Sequence, residues 1–478
     1  MVIAAHRRKL GFNERYYLCR GNEGYYTNFN ITVTYPHRIS VELLSNALKE
    51  LITKNSWLSH NFFKLDNQDD TVANGHNYEV RYVDKIKFED VVTFKNVDVF
   101  DGNVLSEINN ITCPMNVELP LWRIVVLETS NGKQFFCGVF DHSIFDGMSG
   151  AQFMKDLTKE LNTATEVYDE YLFDYERDQL FLPKLILPAV DTLTDLFKLS
   201  FIDIVKYYAN KYLPNVILNF FTKLRNLVSP DPMKPNLGVN PVFKCGLITK
   251  DLRTNYRVLN FSNEQIEKVT QFCRSQDLTI TPYFDIIAVK CLEETVYKAV
   301  DPSTEFSTIN LVAVNGRRYY DHFENFLYGV MVCGDPILTP PLTSDLLSYM
   351  KYFHRTMMER IRTKSSFKLV GLYRFYNLWD FFKQKLNKAD GRFTITISNL
   401  GKFVQPKGRF EVEEIYFGSN TAITYHFILN MSTSEKGGLN VVFGYLPEYD
   451  NLYVNDKKVL DIFFEKFYNM ILEFPTQQ

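Results

Sequence analysis

Residues 28–35 alternate polar and apolar side chains, which predicts a half-buried strand. Residues 40–54 follow with Val41, Leu44, Ala47, Leu48 and Leu51 on one helical face, and Ser40 stands where an N-cap hydroxyl would. The β-rich runs 120–129 and 134–140 flank Ser130-Asn131-Gly132, a hairpin turn signal. A helix is predicted at 150–161. Between 180 and 241 the pattern changes: seven prolines (183, 188, 214, 230, 232, 235, 241) surround two apolar, helix-like segments. This reads as a crossover carrying inserted material. Beyond it the spacing predicts helices over 262–275, 281–297, 345–362 and 459–472, and strands over 305–314, 392–398 and 439–445. Ser262 stands near a cap, and Pro282 sits in a first helical turn, where its missing N–H costs nothing. The pattern is that of an α/β (α+β) chain in two halves: 1–180, a crossover at 181–245, and 246–478.

Length agrees, since 478 residues exceed one ordinary core. At 46% hydrophobic and 15% aromatic the chain can bury such cores and is not a disordered one. The 53 Lys plus Arg against 56 Asp plus Glu give a net charge of −3, with no basic footprint for nucleic acid. The seven cysteines (19, 113, 137, 245, 273, 291, 333) form no CxxC pair, so neither a metal site nor a redox motif is expected, and a reducing compartment fits best. The opening nine residues lack an apolar core, so no secretory signal is expected, and no apolar run reaches membrane-spanning length.

The candidate chemistry lies in 134–150, where a strand-like run ends in Asp141-His142-Ser143-Ile144-Phe145-Asp146-Gly147. A strand end is a rigid platform for aiming an imidazole into a cleft, and imidazole can take a proton near neutral pH. Of eight histidines only His142 has an aspartate four residues on. Asp146 reads as a second catalytic carboxylate, or as a group that pins the turn through a cation. A purely structural turn is the competing reading of the pair. Gly147-Met148-Ser149-Gly150 lacks the spacing of a serine nucleophile elbow, and no Gly-rich phosphate loop is present.

His142-Ser-Ile-Phe-Asp146-Gly147 resembles the HxxxDG motif of the acyltransferase superfamily of chloramphenicol acetyltransferase, the plant BAHD enzymes and peptide-synthetase condensation domains. Other segments, in order, are similar to the fungal alcohol acetyltransferase family: Arg7-Arg8-Lys9-Leu10-Gly11-Phe12, Tyr25-Tyr26-Thr27-Asn28-Phe29, Thr279-Ile-Thr-Pro282-Tyr283, Ala313-Val-Asn315-Gly-Arg317, Ile397-Ser398-Asn399-Leu400-Gly401 and Gly438-Leu-Asn440-Val-Val. The DFGWG signature of the plant enzymes survives only in part, at Tyr416-Phe417-Gly418, and the 180–230 insertion exceeds what the resemblance requires.

The resemblance implies two chloramphenicol acetyltransferase-like domains with a tunnel between them, CoA entering one mouth and the acceptor the other. It implies direct transfer from acetyl-CoA to an alcohol, with His142 as general base and no metal. It makes Asp146 an orienting residue paired with an arginine, for which Arg317 is the match. Thr394, Thr396 and Ser398 share one face of a strand, so Ser398 and its neighbour Asn399 are candidates for holding the oxyanion. N-acetylation of a sphingoid-type amino alcohol and a catalytically silent lipid-binding protein are the alternatives.

One helix is predicted over 192–212, with Asp195, Lys198, Asp203, Lys206 and Asn210 in one sector and Leu193, Leu196, Phe197, Leu199, Ile204 and Tyr208 filling the rest. After Pro214 a second apolar stripe runs through Val216, Ile217, Phe220, Phe221, Leu224 and Leu227. Such helices either cap the core or lie in a membrane interface. The expectation is a cytoplasmic protein, with peripheral contact on endoplasmic reticulum or lipid droplets as its extension.

Overall fold

The computed structural model describes residues 6–26, 28–193, 195–213, 217, 240–244, 252–322, 326–386, 392–405, 407–421 and 423–477. The first half supplies α1 (Phe12–Asn22), β1 (Asn28–Thr34), α2 (Val41–Lys54), β2 (Val92–Val97), β3 (Trp122–Thr129), β4 (Gln134–Asp141) and α3 (Gly147–Leu161). The crossover carries α4 (Phe201–Tyr212). Then come β5 (Asn255–Phe261), α5 (Asn263–Ser275), α6 (Ile280–Leu292), β6 (Thr308–Asn315), β7 (Val332–Thr339), α7 (Leu346–Thr363) and α8 (Leu378–Leu386). The chain closes with β8 (Phe393–Lys402), β9 (Ile415–Ser419), β10 (Tyr425–Ser434), β11 (Gly438–Tyr445) and α9 (Val459–Gln477).

Two mixed sheets organise these elements. The first has the order β9-β1-β4-β3-β2, the second β5-β11-β10-β8-β6-β7. In the first, β3 and β4 form the predicted hairpin, with Gly132 at φ +80° in its turn, a conformation that favours glycine. Helix α2 starts where the sequence indicates, the Ser40 hydroxyl accepting from Leu43 N at 3.2 Å. It buries Leu44, Ala47, Leu48 and Leu51 beside α3, and each buried leucine contributes roughly 1.5–3 kcal/mol. In the second half α6, α7 and α9 enclose a separate core with sheet two.

The structure corrects four expectations. Strand β1 is buried at all seven positions rather than at alternate ones. Its polar side is sealed inside: Asn28 Nδ2 donates to Asn109 O and Ile111 O at 2.7 Å, and Asn30 Nδ2 to Asn109 Oδ1 at 2.9 Å. Buried amides persist there because they are paired.

The boundary of the 246–478 unit has an exception. Strand β9 from that half pairs antiparallel with β1, and Trp379, Phe382, Phe410 and Val412 pack into the first core. An unpaired β1 edge would leave backbone groups open, and β9 closes it.

The predicted helix over 192–212 is broken. A 3-10 turn at Asp195–Phe197 precedes α4, which restarts at Ser200 with a capping box to Asp203. Phe197, only 1% exposed, packs with Phe12, Met331 and Phe367 instead of facing outward. Of the second stripe only Ile217 lies within the described residues. Last, α3 begins at Gly147, three residues early, because Asp146 is its N-cap. The six described cysteines are buried and free, and Cys245 lies outside the described residues.

Candidate active site

Strand β4 ends at Asp141, and the chain turns at once: Phe145 N donates back to Asp141 O at 3.1 Å, and Ser143 N to Asp141 Oδ1 at 2.8 Å. His142 projects from this turn. Its Nδ1 lies 3.0 Å from Phe145 O. A carbonyl oxygen can only accept, so Nδ1 carries the proton and Nε2 keeps its lone pair. Tyr17 of α1 stacks on the ring at 5.3 Å, and Phe29 of β1 flanks it at 4.5 Å. Burial, and then the nearby Arg20 guanidinium, push the imidazole from 6.5 down to about 4, against partial compensation from Asp146 and Phe145 O. The ring is therefore neutral at physiological pH.

Asp146 has the opposite surroundings. Its Oδ2 accepts from Arg317 Nη1 at 2.7 Å and Met331 N at 2.8 Å, while Oδ1 accepts from Ser149 N at 2.8 Å and lies 3.0 Å from Ser149 Oγ. Burial alone would raise this carboxyl, but Arg317 and the N–H donors outweigh it and hold it below its usual range. Arg317 sits in the 3-10 turn Gly316–Tyr319 after β6. Its remaining donors reach Phe326 O at 2.6 Å, Ser149 Oγ at 2.9 Å and Gly329 O at 3.0 Å. This buried ion pair links the two halves at the turn that carries His142.

Between the halves lies a cavity of about 320 Å³, bordered by His142, Gly147, Tyr17, Arg20, Thr396 and Ser398 among others. Asp146 is not among its lining residues. Gly147 admits the opposite wall: a Cβ there would fall 2.9 Å from Leu400 Cδ2. On β8, Ile395 and Ile397 enter the second core, while Thr396 and Ser398 face the cavity. The Thr396 hydroxyl is buried with no hydrogen-bond partner. Asn399 does not share this position, a correction to the expectation that placed it with Ser398. Adjacent side chains on a strand point to opposite faces, and Asn399 is turned to Gly401 N (2.8 Å) and Thr281 Oγ1 (3.5 Å).

Sequence reasoning missed Thr396 as a site residue, although it lay on the recognised stripe. It also missed Tyr17, Arg20 and Lys385, which border the cavity from α1 and α8. The cue available for the first two was an aromatic–cationic cluster, Tyr16-Tyr17-Leu18-Cys19-Arg20, just before β1. Among the described residues no group of three His, Cys, Asp or Glu is placed to hold a metal.

A histidine on a cavity between two mixed sheets, its turn locked by an aspartate–arginine pair, is the arrangement that the resemblance to chloramphenicol acetyltransferase-like acyltransferases implies. The model of the alcohol acetyltransferase family matches residues 9–467, and the chain belongs to that family. It is 21% identical to Alcohol O-acetyltransferase 2 of Saccharomyces cerevisiae, covering 100% of this chain and 97% of that one. With Alcohol O-acetyltransferase 1 of the same yeast it shares 22% identity over 92% of this chain and 91% of the other. In fold it is similar to the trichothecene 15-O-acetyltransferase of Fusarium sporotrichioides, with a TM-score of 0.63, 12% identity, and coverage of 98% and 95%. The condensation domain of the monacolin K polyketide synthase is similar at a TM-score of 0.56 and 11% identity, covering 98% and 97%.

Proposed function

We propose that the protein moves an acetyl group from acetyl-CoA directly onto an alcohol, with His142 as general base. The observation that carries this is the neutral imidazole with Nε2 free on the cavity. The acceptor hydroxyl gives its proton to Nε2 as its oxygen attacks the thioester carbonyl. The tetrahedral oxyanion then sits beside the new imidazolium, and each charge compensates the other. Thr396 and Ser398 supply hydroxyl donors on the same wall. Collapse breaks the C–S bond, the proton passes from Nε2 to the CoA sulfur, and the ester and free CoA leave. Cys333 also borders the cavity, but burial and the carboxylates of Asp335 and Asp146 push its thiol well up, which disfavours an acyl-cysteine. Asp146 touches no substrate in this scheme. It positions the turn through Arg317.

Peripheral membrane contact is a second element of the proposal, for a protein working in the cytoplasm. Its support is α4, where Phe201 (79% exposed), Val205, Tyr208 and Tyr212 (70% exposed) follow helical spacing and leave an apolar stripe in solvent. Liposome flotation tests it: Phe201→Ser with Tyr212→Ser should abolish binding, and equal behaviour of both proteins would refute it. No described helix is long and apolar enough to span a membrane.

The chemistry is tested by incubating purified protein with acetyl-CoA and a mixed panel of alcohols and sphingoid-like amines, with products identified by mass spectrometry. Acetate esters are expected. Amides alone would replace the acceptor class, and a blank panel would favour a silent lipid binder.

A further inference from the structure

Cavity charge is lopsided. Arg20 of α1 and Lys385 of α8 both border it, and among the described residues no aspartate or glutamate does. Arg20 is 8% exposed; Nη2 donates to Tyr26 O at 2.8 Å, while Nε is buried with no hydrogen-bond partner. Its other neighbours are aromatic faces, with the guanidinium carbon 5.9 Å from the Tyr16 ring and 5.7 Å from the Tyr17 ring. Lys385 has the Phe393 ring 5.9 Å from Nζ and, among the described residues, no ion pair. Burial, Arg20 and Arg392 push its ammonium down to about 7. Aromatic faces attract cations only modestly. An anion that accepts charge-assisted hydrogen bonds stabilises Arg20 and the protonated form of Lys385 far more.

We propose that Arg20 and Lys385 form an anion-recognition subsite that selects acceptors bearing a carboxylate on the far side of the reacting hydroxyl. The inference rests on the acetyl-transfer reading above and narrows its acceptor class. Distance favours one of two sources of the anion. Tyr17 is 5.3 Å from His142, and the Arg20 guanidinium 5.7 Å from Tyr17, so these contacts bound Arg20 within 11.0 Å of the base. A fully extended pantetheine arm, with its two amide units, is as long as about four extended residues, on the order of 13 Å, so CoA would bring a phosphate to Arg20 only with that arm bent. A short hydroxy acid, by contrast, places its carboxylate within the cavity while its hydroxyl meets Nε2.

The test compares hexanol with ω-hydroxyhexanoate as acceptors for the wild-type protein, Lys385→Met and Lys385→Arg. Wild type should favour the hydroxy acid in kcat/KM. That ratio should fall by about tenfold or more in Lys385→Met and recover in Lys385→Arg, as loss and return of a charged hydrogen-bond partner require. A wild type indifferent to the carboxylate would overturn the proposal. So would a Lys385→Met variant that keeps the ratio but raises KM for acetyl-CoA with both acceptors, which would assign the cations to CoA. Calorimetric titration of ω-hydroxyhexanoate without acetyl-CoA separates this inference from the reaction itself. Binding to wild type and its loss in Lys385→Met would support the subsite even if no acetyl group moved, and absence of binding alongside active transfer to hexanol would remove the subsite and leave the transferase.

Discussion

Three residues separate His142 from Asp146, and the turn between them points the two side chains at different worlds. Every acceptor position of the Asp146 carboxylate is occupied, by a guanidinium, two backbone N–H groups and a serine hydroxyl. The imidazole uses one nitrogen on its own turn and leaves the other open on the cavity. The same contrast holds between two buried arginines. Arg317 spends its donors on Asp146, Ser149 and backbone carbonyls, whereas Arg20 keeps a buried Nε unmatched. A polar group whose bonds are complete holds the fold, and one left incomplete beside a cavity is poised for a ligand.

That comparison can be broken most forcefully at Asp146. Asp146→Asn leaves Arg317 buried without its counter-charge, so unfolding in denaturant should show a loss of about 3–5 kcal/mol. Unchanged stability would make the ion pair dispensable. On the cavity side, Thr396→Val combined with Ser398→Ala should preserve the melting temperature and lower kcat by roughly 10²–10³-fold, the cost of an oxyanion donor. A silent double variant would move oxyanion stabilisation elsewhere.

At the junction of the two sides, Gly147→Ala pushes a methyl against Leu400 and should cost about 1–3 kcal/mol of stability by overpacking. The smallest expected effect is a flat response to pH. With His142 held down to about 4, protonation removes the Nε2 lone pair only as pH falls toward 4. Thus kcat/KM for a neutral alcohol should stay level from about pH 8 to pH 5, and a midpoint near the ordinary histidine value of about 6.5 that persists in Lys385→Met would show an imidazole open to solvent.

Much of this was legible in the chain. His142 at a strand end, the helix after it, the Ser40 cap and the hairpin all follow from local spacing and turn chemistry, which act within a few residues. The Asp146–Arg317 partnership came only through family resemblance, since 171 residues separate the two. Strand β9 escaped the sequence reading because five residues give too short a period, and its role in the first sheet depends on β1, far away in sequence. Burial of the polar side of β1 was hidden for a related reason: alternation reports which residues share a face, not what covers it. Asn399 was misplaced by treating neighbours as one site where the strand alternates. Arg20 and Lys385 carried no motif, and only packing of α1 and α8 brings them to one cavity.

The central claim is that the open end of the turn does the chemistry, and the most direct test is acetyl transfer by purified His142→Ala. Turnover from acetyl-CoA to the preferred acceptor should fall by about 10²–10⁴-fold, the usual contribution of a general base, with melting temperature and CoA binding close to wild type. A folded His142→Ala protein that transfers acetyl groups at near-normal rates would contradict the account.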